Sequence, residues 1–330
     1  LITTTDSIDN TQNTIKAKCF INASGPWVDD VLQESFSNKN TKNVRLVRGS
    51  HIVVNKLYDH DKSFICQNDD GRIFFMIPYE DKFTLIGTTD IDHGRSASEV
   101  EISEEEKQYI CDSANTYLNS EIKLSDIVWS YSGVRPLYDD GASKAQEATR
   151  DYVIKAEEHD SSLMINIFGG KITTYRRLSE AILKHIETFL GQKGNPWTEN
   201  SSLPGGDIDV DGQFDLNNKI QEKYPFLNDE IVKRLVRSYG TVSFDIFASA
   251  KNIESLGESF GSGLYEKEVV YLVQNEWART SEDILFRRSK LGLSLTKNEK
   301  QKLDQFLEKY QKLSKTSESS VKKDNIVETV

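Results

Sequence analysis

Four side chains carry the chemistry this sequence offers. Arg135 lies in Ser132-Gly133-Val134-Arg135-Pro136-Leu137, directly after an apolar strand, where glycine and proline restrict the backbone around it. Arg150, in Thr149-Arg150-Asp151-Tyr152, opens another strand. A guanidinium held in one orientation suits planar, bidentate recognition of a phosphate or carboxylate. Taken singly, each arginine is better read as half of a structural ion pair, with Asp139, Asp140 or Asp151 as partner. Lys171 follows Gly169-Gly170 and opens a helix, where the helix dipole disfavours a cation. An anion or an electron-rich cofactor edge opposite would account for it; so, at even odds, would a lysine reaching into water. His51, in Arg48-Gly49-Ser50-His51-Ile52-Val53-Val54, stands at a strand entry beside a glycine. It is placed to accept a hydroxyl proton near neutral pH, although a lone histidine on an apolar strand is more often a hydrogen-bonded core residue.

Two other features imitate sites. Asp207-Ile208-Asp209-Val210-Asp211-Gly212 resembles the start of a calcium loop. Its final ligand position falls on Asn218, and Pro-Gly-Gly rather than a helix enters it, so it reads as an acidic loop. The amphipathic stretch 299–313 has mixed charges that suit packing on other helices better than a membrane surface.

The elements that position these residues follow from periodicity and punctuation. Residues 14–22 read as a strand. Ala23-Ser24-Gly25-Pro26 then turns into a helix with Pro26 at its first position and Trp27, Val28, Val31 and Leu32 on its apolar face. An apolar run over 44–54 is followed by a hairpin, 72–78 with 83–88, around Tyr79-Glu80-Asp81-Lys82. Ser103 and Glu106 form a capping box for a helix reaching about Leu118, with Ile110, Ala114 and Leu118 on one face. Further strands are expected over 127–132 and 150–154. The buried strand 163–168 runs through Gly169-Gly170 into a helix striped by Tyr175, Leu178, Ile182, His185 and Phe189. Strand, Gly-Gly, helix points backbone N–H groups at an anion or a cofactor oxygen.

From residue 196 the pattern becomes helical, over 229–239, 265–277, 281–290 and 296–313, with Ser281 and Thr296 as N-caps. From 315 the Ser/Lys/Glu-rich sequence reads as a disordered tail.

The chain has 330 residues, of which 37% are hydrophobic, enough for one large or two smaller cores. A net charge of −11 with no basic block argues against nucleic acid. It also means that an anionic substrate needs a local cluster of Arg and Lys. Three scattered cysteines, Cys19, Cys66 and Cys111, read as buried, reduced thiols in a cytoplasmic protein. No apolar run approaches the roughly 18 residues of a membrane span. Although the chain has 19 glycines, none forms a GxGxxG between strand and helix, so the usual pyrophosphate grip is expected upstream of Leu1. The sequence opens without Met, signal peptide or transit peptide, as though inside a domain. It is read as a C-terminal fragment, inactive by itself.

Several ordered blocks resemble FAD-dependent, aerobic (respiratory) glycerol-3-phosphate dehydrogenases. They are Ile21-Asn22-Ala23-Ser24-Gly25-Pro26-Trp27, the stretch from Val44 through His51 to Val54, and Leu85-Ile86-Gly87-Thr88-Thr89-Asp90. Further along come Trp129-Ser130-Tyr131-Ser132-Gly133-Val134-Arg135-Pro136-Leu137, Thr149-Arg150-Asp151-Tyr152 and Phe168-Gly169-Gly170-Lys171-Ile172-Thr173-Thr174-Tyr175-Arg176. Leu203-Pro204-Gly205-Gly206, Tyr224-Pro225-Phe226-Leu227, and Glu276-Trp277-Ala278 with Asp283, Arg287 and Arg288 continue the likeness to about Tyr310.

The resemblance implies an α/β (α+β) chain with the D-amino-acid-oxidase-like FAD-dependent oxidoreductase fold. Residues 1–42 would be the remainder of the FAD-binding domain, 43–165 an antiparallel-sheet substrate domain, and 166–192 the returning strand and helix of the FAD domain. Residues 193–314 would form an α-helical C-terminal domain and 315–330 the tail. It implies oxidation of sn-glycerol 3-phosphate to dihydroxyacetone phosphate by hydride transfer to FAD, with electrons passed to a membrane quinone. The protein would sit on the inner face of the cell membrane, with a homodimer left open. Arg135, Arg150 and Lys171 would line the substrate site, the arginines as anion clamps. Lys171 would stabilise the alkoxide-like oxygen or the negative charge of reduced flavin. His51 becomes the leading base. Ala23, Ser24, Gly25, Gly169, Gly170, Lys171, Ile172, Thr173 and Thr174 would contact FAD; no metal is implied. Rival readings are a glycerol-3-phosphate oxidase, an amine or amino-acid oxidase whose arginine serves a carboxylate, and, in another class, a non-catalytic binding module without the cofactor half.

Overall fold

The computed structural model describes residues 1–36, 42–94, 96–141, 151–159 and 161–321, with side chains left undescribed at 35–36 and 314–321. The chain forms two compact units, Leu1–Glu199 and Asn200–Val330.

In the first unit, β1 (Ile2–Thr5) and β2 (Gln12–Ile15) form an antiparallel pair. β3 (Cys19–Asn22) belongs to a different sheet. The strand expected over 14–22 is therefore two strands, broken at the exposed Lys16-Ala17-Lys18, because its halves pair with different partners.

β10 (Tyr152–His159) and β11 (Ser162–Gly169) form a hairpin, and β11 lies parallel to β3 with Asn166 opposite Asn22. β11 is buried from Leu163 to Phe168, as a strand covered on both faces must be. Met164 and Phe168 pack with Val28 and Leu32 of α1 (Val28–Phe36). Leu163, Ile165 and Ile167 pack with Ile182 of α3 (Tyr175–Leu190).

The larger sheet has six strands, with β4 (Val44–Asn55) at its centre. β5 (Phe64–Gln67), β6 (Ile73–Tyr79) and β7 (Phe83–Gly87) lie to one side, and the two-residue β8 (Ile91–Asp92) pairs with the same edge of β4 further along. β9 (Ile127–Tyr138) pairs with β4 from Val44↔Tyr138 to Val54↔Ile127. β9 outruns the strand expected over 127–132 because the equally long β4 continues to offer it partners. Pro136 is tolerated there because, among the described residues, β4 is its only neighbour in this sheet. One face is closed by α2 (Glu104–Asn115), whose Ile110, Cys111 and Ala114 join Ile52, Val54, Cys66, Phe74, Met76 and Ile86 in a core. Ser103 and Glu106 form the expected capping box of α2.

The second unit is helical: α4 (Gln213–Lys223), α5 (Asp229–Tyr239), α6 (Ser243–Phe247), α7 (Glu266–Asn275) and α8 (Lys297–Val321). Its core includes Ile220, Tyr224, Leu235, Phe247, Phe260 and Leu303. Two expectations change here. Thr280, not Ser281, caps the turn leading into a π-helical segment, Asp283–Arg288, since its hydroxyl accepts from the Asp283 N–H while Asp283 accepts from the Thr280 N–H. α8 runs to Val321, past the start of the expected tail, because no Gly or Pro interrupts it. Residues 322–330 lie outside the described residues.

Among the described residues no helix is long and apolar enough to cross a membrane. The three cysteines are free thiols; Cys66 and Cys111 are buried, whereas Cys19 is only half-buried.

Candidate active site

Residues directly opposite in an antiparallel pair share a sheet face. Gly87 and Tyr131 flank His51, Gly133 faces Gly49, and Arg135 faces Val47. Arg135, the Gly49–Gly133 pair and the His51–Tyr131 pair therefore occupy successive rows on the face away from α2. The two strands bring a cation and an imidazole together by register alone.

Glycine makes the arrangement possible. A Cβ on Gly49 would lie 2.7 Å from Nη2 and 2.8 Å from Cζ of Arg135, and would collide with Nη1 as well. A Cβ on Gly87 would lie 2.6 Å from Cδ2 of His51. Neither glycine has a left-handed backbone, so space is the requirement. Above Gly133 a Cβ would meet nothing within 4 Å, which leaves an opening between the guanidinium and the two rings.

His51 stacks on Tyr131, ring centroids 5.0 Å apart and nearly parallel. Its Nδ1 is buried without a hydrogen-bond partner. Burial, and secondarily the positive charge of Arg135, push its pKa down to about 4. The imidazole is therefore neutral at neutral pH, in the form that can take a proton, but it is a weaker base than an ordinary histidine. It is no hydrogen-bonded core histidine.

Arg135 donates from Nη1 to Asp90 Oδ1 at 2.7 Å and from Nη2 to Thr88 Oγ1 at 3.2 Å. An ion pair is present, but its partner is Asp90 rather than Asp139, Asp140 or Asp151, because the turn from β7 to β8 passes over the guanidinium. A guanidinium has five N–H donors, and this side chain is 35% exposed, so donors remain for an incoming anion.

Lys171 is exposed and stands at the N-cap of a short 3-10 turn, Ile172–Thr174, that leads into α3. The α-helix thus starts at Tyr175, not at Lys171. Its carbonyl accepts from the Thr174 N–H and hydroxyl. The loop bearing it leaves β11 beside β9: a Cβ on Gly169 would be 3.6 Å from Tyr138 N and 3.7 Å from Pro136 O. This places the Gly169-Gly170-Lys171 turn next to the strand end that carries Arg135. Arg150 lies outside the described residues. The carbonyl of the following Asp151 is 3.0 Å from the same hypothetical Cβ.

A second surface adjoins this one. β3 and β11 are parallel neighbours, so the turns after them emerge together, at the carboxyl ends where open α/β sheets bind ligands. They carry Ala23, Ser24 and Gly25 on one side and residues 169–174 on the other. Asn22 anchors the first turn: its amide donates to Val28 O and to Asn166 Oδ1, both at 3.0 Å, and its Oδ1 accepts from the Ser24 hydroxyl. Gly25, Gly169 and Gly170 have positive φ (58°, 69° and 97°), a conformation that favours glycine. The surface shows glycine backbone together with the exposed Lys171 and Thr173 and the apolar side chains of Ile172, 88% exposed, and Trp27, 43% exposed.

Thr88, Asp90 and Tyr131 fall within blocks quoted for resemblance, yet nothing in their spacing marked them as site residues. Glu106 read only as a capping residue.

Comparison with known proteins gives the family of the chain. Residues 2–176 match the family described as FAD dependent oxidoreductase, and residues 196–320 match the C-terminal domain of alpha-glycerophosphate oxidase. The chain is 40% identical over 300 residues to D-erythritol 1-phosphate dehydrogenase of Brucella abortus (strain 2308), covering 91% of this chain and 60% of that protein. It is 38% identical over 305 residues to the aerobic glycerol-3-phosphate dehydrogenase of Escherichia coli (strain K12), covering 92% and 61%. Among solved structures it resembles the glycerol-3-phosphate dehydrogenase from Bacillus halodurans complexed with FAD, with a TM-score of 0.70 and 26% identity over 93% of this chain and 64% of that one. The chain thus spans about 60% of the length of the curated relatives it matches. With more than half its residues matched by the first of these families, the chain belongs to the FAD dependent oxidoreductases.

Proposed function

We propose that this chain supplies the substrate-binding face of an FAD-dependent dehydrogenase that oxidises the C2 alcohol of sn-glycerol 3-phosphate to dihydroxyacetone phosphate. The observation that supports this most is the Arg135 guanidinium lying across Gly49 beside the neutral His51. A phosphate ester of a polyol presents one end to each.

The residues at the β3 and β11 ends fit FAD. Left-handed glycines strip side chains from two adjacent turns, leaving backbone N–H groups and the exposed Ile172 for a flat, partly apolar ligand with acceptor oxygens. Ala23, Ser24, Gly25 and residues 169–174 would hold it. FAD, when bound, supplies the two-electron acceptor for the C2 hydride. Arg135 grips the phosphate, assisted by Arg150 and Lys171, and fixes the carbon chain over the opening above Gly133. His51 takes the C2 hydroxyl proton on Nε2, since Nδ1 is buried. Lys171 offers positive charge to the oxygen as its proton leaves. The electrons would go on to a membrane quinone, with the protein on the inner face of the cell membrane, as the family resemblance implies.

A second reading concerns the substrate's length. The 40% identity to a D-erythritol 1-phosphate dehydrogenase favours a four-carbon polyol phosphate as the alternative. The test is product formation by the intact, FAD-loaded protein with each substrate, using a quinone analogue or oxygen as acceptor. Stoichiometric dihydroxyacetone phosphate with quinone supports the first reading; turnover of erythritol 1-phosphate alone supports the second.

A further inference from the structure

Glu106 is 3% exposed, far more buried than closing a capping box requires. A buried carboxylate is costly unless fully paired, and this one has four donors. Oε2 accepts from the Ser103 N–H at 3.0 Å and pairs with Arg48 Nη2 at 2.7 Å. Oε1 accepts from the hydroxyls of Ser50 and Thr89, both at 2.8 Å.

Thr89 connects this carboxylate to the site on the other face of the sheet. Its hydroxyl donates to Glu106 and accepts from the Ser50 N–H at 3.0 Å, so its orientation is fixed from both sides. Its sequence neighbours, Thr88 and Asp90, are the two acceptors of the Arg135 guanidinium. The Thr88 hydroxyl in turn donates to Thr89 O at 2.9 Å, which leaves its lone pairs for Arg135.

We propose that Glu106, acting through Thr89, is a positioning residue that sets where the Arg135 guanidinium meets a substrate phosphate. The proposal rests on the reading of Arg135 as an anion clamp. Neither Glu106 nor Thr89 touches the substrate. Together they hold the turn that aims the clamp, and Ser50 fixes the backbone N-terminal to His51 through the same carboxylate.

The test uses the intact, FAD-loaded protein and two probes, sn-glycerol 3-phosphate in steady state and inorganic phosphate by calorimetry. Thr89→Val keeps the shape and removes both hydroxyl bonds. It is expected to raise KM for glycerol 3-phosphate and Kd for phosphate about tenfold, a loss of roughly 1.4 kcal/mol, with kcat within about twofold. Thr89→Ser, which restores the hydroxyl, returns both to near wild type. Glu106→Gln shifts both constants in the same direction and serves if Thr89→Val does not accumulate as folded flavoprotein. Ser103→Ala, which removes only the helix cap, lowers the melting temperature and leaves KM alone. If Thr89→Val and Glu106→Gln change melting temperature or flavin content but neither constant, while Arg135→Ala raises both, the inference is overturned and the clamp stands. If Arg135→Ala leaves both constants unchanged, the clamp reading itself falls.

Discussion

The guanidinium of Arg135 occupies the space that any side chain on Gly49 would require, with Cζ 2.8 Å from the position of the missing Cβ. Gly49→Ala should therefore push the clamp away from Asp90 and Thr88. The expected cost is about 1–3 kcal/mol of substrate recognition, the usual penalty for overpacking a filled site. It is read as KM for glycerol 3-phosphate, and the effect should vanish in an Arg135→Ala background. An additive effect in the double variant would place the role of Gly49 elsewhere.

The depressed pKa of His51 has a direction that can be checked. The unfolded chain takes up a proton near the ordinary histidine value of 6.5, whereas the folded chain resists it until about 4. His51 therefore subtracts stability as pH falls between those limits and contributes no pH dependence above them. Ring NMR of the folded chain should show a midpoint near 4, moving upward in Arg135→Ala yet staying below 6.5, because burial is the larger cause. A midpoint near 6.5 in the wild-type protein would contradict the buried, charge-coupled imidazole.

Much of this face was legible before any coordinates. The apolar run over residues 44–54 marked a β-rich stretch, and Gly-x-Arg-Pro marked an arginine held by its backbone. The pairing of the two strands was not legible, since register depends on a partner some 80 residues away and on what each face buries. Hence Asp90 went unrecognised as the partner of Arg135, as did Glu106 as more than a cap. The break at Lys16-Ala17-Lys18 was missed for a related reason: propensity continues through it, but the two halves hydrogen-bond to different sheets.

Lys171 stands exposed on the turn after Gly169-Gly170, alongside the end of β9. If its charge supports the oxygen that loses a proton, Lys171→Met should slow single-turnover flavin reduction by about 10²-fold, the scale for losing one such donor. Unchanged reduction kinetics at saturating substrate would assign it to substrate binding alone or to solvent.

The helical unit has its own critical pair. Glu268 is fully buried and receives both Nη atoms of Arg234, at 2.6 and 2.7 Å, and the Tyr239 hydroxyl at 2.8 Å. Burial and the Glu268 charge push the Tyr239 pKa up, so the hydroxyl remains a donor. Glu268→Ala would strand the guanidinium and should cost about 3–5 kcal/mol, seen as a lower midpoint in chemical denaturation. A loss below about 1 kcal/mol would mean that water or a rearranged partner takes its place.

The most direct test of the account is anaerobic mixing of the intact, FAD-loaded protein with sn-glycerol 3-phosphate while flavin absorbance is followed. The wild-type protein should bleach fully at saturating substrate, and Arg135→Ala should need a substrate concentration raised by the equivalent of about 2–5 kcal/mol to do the same. Oxidised flavin that persists in the wild type, or an Arg135→Ala protein that bleaches at the wild-type concentration, would contradict the claim that this sheet face holds a polyol phosphate for oxidation.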